Sequence, residues 1–164
     1  MLSNFDIEKL CAKLDLPLIG VYQKDQLANI PKHVGSYYIN QMSSSEGDGS
    51  HWVLAKIYCD EERDVMRDEG ELEAKALYFD PFGLNMSKEV EDFLIDFKPI
   101  PYNNKQIQSV RTSECGWFCI ACDYALEHKK YRDTYLEDYE NFLEFFNTDP
   151  KKNLTLLKDF FKPL

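Results

Sequence analysis

Apolar residues return along the chain with two periods, and each period predicts a different kind of element. Ile7, Leu10, Cys11 and Leu14 recur at i, i+3, i+4 and i+7 behind Ser3, a good capping residue, so residues 4–14 are predicted as an amphipathic helix. Leu18 to Tyr22 and Ser36 to Asn40 are rich in β-branched and aromatic residues and predict strands, after which the polar stretch 43–50 reads as a loop. From His51 to Cys59, Trp52, Leu54, Lys56 and Tyr58 alternate with Val53, Ala55 and Ile57, and apolar residues on both faces mark an interior strand. Ala76 to Asp80 predicts a second such strand, stopped by Pro81 and Gly83. Antiparallel pairing of these two would bring His51 and Asp80 to one end of a sheet.

The second half of the chain reads as helical. Ser87 suits an N-cap, Glu89 and Glu91 suit a first turn, and Val90, Phe93, Leu94 and Phe97 form one stripe. Residues 105–110 predict a short strand. From Cys115 to about His128 the chain is apolar nearly all round, which predicts a central buried helix closed by His128-Lys129-Lys130 at its negative end. Two more helices are expected near 134–146 and 151–161. The sum is an α+β fold: a central mixed β-sheet flanked by helices, with Cys115 at the start of the buried central helix. No repeat and no linker-like composition divides the 164 residues, so they are expected to form one domain.

Charge and cysteine content narrow the choice of chemistry. Nineteen Lys and Arg against 29 Asp and Glu leave a net charge of -10, so a nucleic-acid partner is not expected. The acid collects in Asp60 to Glu73, read as a solvated loop or hairpin tip, and again in Glu137 to Glu144. Five cysteines are an odd count, three of them lie within 115–122, and no apolar leader follows Met1. Free thiols in an intracellular chain are therefore expected. No run is long enough to span a bilayer, so neither is a membrane partner.

Cys115 carries the sharpest chemical signal. At the start of a helix, unpaired backbone N–H groups and the positive dipole end favour thiolate over thiol, and Gly116 leaves room for a substrate backbone. Cys119 and Cys122, farther along the helix, read as small buried hydrophobes. Of three histidines, His33 reads as a loop residue and His128 as a partner of the helix dipole. His51 opens a strand, fixed in the sheet yet open to a cleft, where it can serve as base. Asp80 reads either as an Asx turn ahead of Pro81 or as the carboxylate that orients His51. The Cys115 N–H supplies one oxyanion donor; a second comes from Gln108 or Gln106, which alternation places on the same face. These are the parts of a thiol hydrolase that uses no cofactor and no metal. An iron-sulfur protein is the rival from another class, because Cys115, Cys119 and Cys122 have a C-x3-C-x2-C spacing, although on a buried helix late in a short chain.

Gly49-Ser50-His51-Trp52, Tyr78-Phe79-Asp80-Pro81-Phe82-Gly83, Gln108-Ser109 and Cys115-Gly116-Trp117-Phe118-Cys119 occur in the order that marks a known family. The chain resembles the adenovirus maturation protease and its relatives in virophages, Maverick-type transposons and large DNA viruses. The resemblance runs from Leu18 to the buried helix, and a weaker one extends to the SUMO-specific proteases. It implies Cys115 as nucleophile, His51 as base and Asp80 as orienting acid, where adenovirus enzymes have Glu. Gln108 becomes the favoured oxyanion donor over Gln106, and Trp52 a wall of the substrate channel. It further implies viral capsid precursor polypeptides as partners, cut after a small residue such as Gly during virion maturation, in the virion and the infected host cell cytoplasm. A deconjugating protease for ubiquitin-like modifiers is the alternative. The adenovirus enzymes are basic and use DNA and a disulfide-linked peptide as activators. Here the charge is acidic and Lys98 to Gln108 holds no cysteine, so neither activator is predicted, while the need for some activating peptide stays open.

Overall fold

A computed structural model of the chain describes residues 1–41, 51–59, 73–128 and 134–164. The polar loop 43–50, most of the acidic run from Asp60 onward, and Lys129-Lys130 lie outside the described residues.

Each short polar residue before a helix does local work. Ser3 caps α1 (Asn4–Lys13) in a reciprocal capping box with Asp6, Ser87 caps α2 (Lys88–Phe93), and Thr134 caps α4 (Tyr135–Phe145). The remaining helices are α3 (Cys115–Glu127) and α5 (Asn153–Phe161). Four strands, β1 (Leu18–Gln23), β2 (Gly35–Asn40), β3 (Trp52–Tyr58) and β4 (Lys75–Phe79), pair in sequence order. β1 runs parallel to β2, after a 3-10 turn at Lys24–Asn29, and the other pairs are antiparallel, which makes the sheet mixed.

Alternation along the strands splits the core into two layers. Tyr38, Trp52, Leu54, Tyr58, Leu77 and Phe79 pack with α1, α3, α4 and α5, whereas Tyr37, Ile39, Val53, Ala55, Ile57 and Tyr78 pack with Leu27 and α2. All seven residues of β3 are buried, as an interior strand covered on both faces requires. Burial of each large side chain contributes about 1.5–3 kcal/mol.

Two elements depart from the sequence pattern. Residues 105–110 form no strand. The Ile107 and Gln108 amides both donate to Pro81 O, at 2.9 Å each, so they cannot alternate along a ladder, and sheet pairing there is limited to one parallel bridge between Tyr102 and Tyr78. The stripe that ends at Phe97 is not one α-helix either. α2 stops at Phe93 and tightens into a 3-10 turn, Ile95–Phe97, because Pro99 disfavours helical backbone at Lys98. His128 follows α3 as expected of a helix-end residue, but its Nε2 lies 2.8 Å from Leu14 O and its ring packs on Tyr124, so it ties the end of α3 to the end of α1. His33 is an exposed loop residue, as read. Among the described residues no helix is long and apolar enough to cross a membrane.

Candidate active site

The sheet register places the candidate base and acid together. Leu54 lies opposite Phe79, so in an antiparallel pair His51, before β3, and Asp80, after β4, leave the sheet at the same end. His51 Nε2 stands 2.7 Å from Asp80 Oδ1. That oxygen also accepts the Phe82 N–H at 2.8 Å, so Asp80 closes an Asx turn and meets His51 through one atom; the two readings of Asp80 are compatible. A carboxylate is an acceptor, so Nε2 carries the hydrogen of that contact and the neutral ring keeps its lone pair on Nδ1. Nδ1 is buried with no hydrogen-bond partner.

α3 brings the thiol to this end of the sheet. Cys115 is its first residue, and the Trp52 backbone N–H donates to Cys115 Sγ at 3.4 Å, while Cys119 Sγ donates to Trp52 O at 3.4 Å one turn later. Both sulfurs thus grip the residue next to His51. Burial pushes the Cys119 and Cys122 thiols well above their ordinary range, as inert core cysteines require. For His51, burial works against the charged ring, but the hydrogen bond and charge of Asp80, with the nearby Cys115 sulfur, prevail and raise its pKa to about 9. The start of α3 differs from those of α1, α2 and α4, because Glu114 makes no side-chain cap. The Cys115, Gly116 and Trp117 N–H groups precede the first intrahelical acceptor, with Phe118 N donating to Glu114 O at 3.1 Å.

Gln108 and Gln106 do not share a face. Gln108 is buried, Gln106 is exposed, and the reason is the irregular path that replaces the expected strand. Gln108 Nε2 donates to Thr112 O at 3.0 Å and Thr112 Oγ1 at 3.1 Å, and its Oε1 is buried without a partner. Gln106 donates to Gln108 O at 3.0 Å and so supports its neighbour. Trp52 is buried, its Nε1 donating to Leu2 O at 2.9 Å. The face of Gly116 where a side chain would project is covered by Leu2.

Four further residues hold this arrangement, and none of them was given a role at the site from sequence. The Phe82 ring stacks on His51, with centroids 4.3 Å apart and planes 10° from parallel, and so fixes the imidazole plane. Asn103 clasps the main chain of Asp80: its Oδ1 accepts the Asp80 N–H at 3.0 Å and its Nδ2 donates to Asp80 O at 2.6 Å. Asn40 Oδ1 accepts the His51 N–H at 3.2 Å. Gly83, at φ +69°, closes the turn after Asp80 with its N–H on Asp80 O, and a Cβ there would meet the Lys105 backbone at 2.8 Å. Of these, Gly83 was legible as a strand stop and Phe82 only as a member of the motif that carries the resemblance. Among the described residues no group of three His, Cys, Asp or Glu side chains is placed to hold a metal ion.

No family model and no curated protein matches the chain. Among solved structures, a crystal structure of the selenomethionine form of the ASFV pS273R protease is similar, with a TM-score of 0.51 and 15% identity over 90% of this chain and 68% of that one. At that identity the likeness shows a shared fold.

Proposed function

We propose that this protein is a cysteine endopeptidase of the viral maturation type. The observation that carries the reading is the His51–Asp80 contact at 2.7 Å, which leaves a buried, unpartnered Nδ1 at the end of the sheet where Cys115 opens an uncapped helix. The shared fold with a viral protease supports it. Nδ1 takes the Cys115 proton or already shares it as an ion pair, as the raised His51 pKa favours, and the thiolate attacks a substrate carbonyl. The Cys115 N–H and Gln108 are the proposed donors to the oxyanion; Gln108 must turn its amide from Thr112 to donate. Collapse of the intermediate breaks the C–N bond as His51 protonates the leaving amine, and water then releases the acyl group from sulfur and restores the thiol. The proposed substrates are viral capsid precursors cut after Gly, in the virion and the infected cell's cytoplasm.

A peptide ending in a thiol-reactive glycine analogue tests this directly. Mass spectrometry should place the adduct on Cys115, and His51→Ala should abolish it. Labelling elsewhere, or peptide hydrolysis that survives Cys115→Ala, would sink the reading. Preference for folded ubiquitin-like conjugates over capsid-derived peptides would move it to the deconjugating class.

A further inference from the structure

Leu2 touches the chain neighbours of both candidate catalytic residues. Its carbonyl accepts the indole N–H of Trp52, next to His51, at 2.9 Å. Its side chain lies where a Cβ on Gly116, next to Cys115, would project: Cδ1 at 3.0 Å, Cβ at 3.1 Å and Cγ at 3.3 Å from that point. Leu2 is buried, with 9% of its surface exposed, and the capping box of Ser3 with Asp6 fixes where it leaves α1. Two independent contacts, one through backbone and one through side chain, hold it in place.

The geometry points to Leu2 as a specificity-determining wall of the substrate channel, a role that rests on the protease reading. Its carbonyl sets the plane of Trp52, and its isobutyl group fills the space over Gly116. A substrate strand that approaches Cys115 along this wall finds the space over Gly116 taken, so the acyl-side residue must lack a side chain. Glycine selectivity on this account comes from residue 2, outside the motifs that carry the chemistry.

Leu2→Ala opens the wall, and two ratios read the change. One is the rate of cleavage of peptides with Ala rather than Gly on the acyl side, expected to rise about tenfold, as removal of a pocket-filling group does. The other is the rate of Cys115 alkylation by N-phenylmaleimide relative to iodoacetamide, expected to rise similarly and independent of turnover. Leu2→Val, a smaller change, should move both ratios the same way if Leu2→Ala fails to fold. A folded variant that keeps both parent ratios would overturn the proposal. If the parent cleaves no peptide, the protease reading falls and the substrate role of Leu2 with it, and the alkylation ratio then decides only whether Leu2 restricts access to the Cys115 thiol.

Discussion

His51 presents one ring nitrogen to Asp80 and leaves the other bare, and this asymmetry determines its behaviour with pH. A pKa raised to about 9 against an ordinary 6.5 means that folding favours the protonated ring. The stability it contributes is whole below pH 6.5 and is lost as pH rises through 9. The alkaline limb of kcat/KM should therefore fall near pH 9, because the imidazolium that protonates the leaving amine disappears there. Asp80→Asn should move that limb down toward the ordinary histidine range, lower turnover on the order of 10⁴-fold, and remove the part of this stability that Asp80 supplies. An unmoved limb would leave Asp80 as a turn residue only. The cysteines separate equally cleanly: Cys115→Ala should abolish hydrolysis, whereas Cys119→Ala should keep its active thiol and lose about 1 kcal/mol in denaturant melts. Cys115, His51 and Asp80 were legible because each stands at the end of a strongly patterned element. Phe82 and Asn103 were not, since their roles depend on contacts to partners 31 and 23 residues away in the chain. No period of the sequence encodes those.

α3 must be held in register against β3, for a slide of one helical turn would carry Cys115 away from His51. Beyond the two sulfur contacts at Trp52, a buried ionic cluster sets this register. Lys56 on β3 meets Asp123 Oδ1 and Glu127 Oε1, both at 2.6 Å, and Tyr38 OH donates to Asp123 Oδ2 at 2.7 Å. Burial disfavours the Lys56 charge, but the two carboxylates prevail and raise its pKa, so it stays an ammonium. Lys56→Met leaves Asp123 buried and uncompensated, and should cost about 3–5 kcal/mol in denaturant melts. Adding Asp123→Leu should return part of that loss, because it removes the buried charge but leaves the Tyr38 hydroxyl without its acceptor. A single variant that melts like the parent would show that the register is held by apolar packing alone. The alternation of β3 announced its two buried faces, and Lys56 stood out as a charge among them, but its partners on α3 were hidden within a helix read simply as apolar. The missing strand at 105–110 failed for a related reason. Its alternation was real in sequence, yet nothing local revealed that Pro81 O would take both the Ile107 and Gln108 amides.

At the scale of the whole molecule, the antiparallel pairing of β3 and β4 in the order β1-β2-β3-β4 puts the two candidate catalytic strand ends at one end of the sheet, and α3 brings the thiol to it. The mixed sheet with its helices is the fold that the protein shares with the ASFV protease structure, and it arises from strong periodicity, which is why the architecture was readable from sequence. Charge is a different property of the whole chain and bears on substrates. With a net charge of -10, the protein repels polyanions and draws cationic segments toward any cleft. Peptides of equal length with Gly at the acyl side and Lys or Arg in the flanks should thus be cut faster than those with Asp or Glu flanks. The gap should be largest at low salt and shrink severalfold between about 0.01 and 0.5 M, as the Debye length falls from about 30 Å to a few ångströms. Long duplex DNA should leave the rates unchanged, since a net charge of -10 opposes phosphate binding. A gap that persisted at high salt would place the discrimination in close contacts at the cleft, and a rate increase with DNA would reveal a cationic surface strong enough to overcome the net charge.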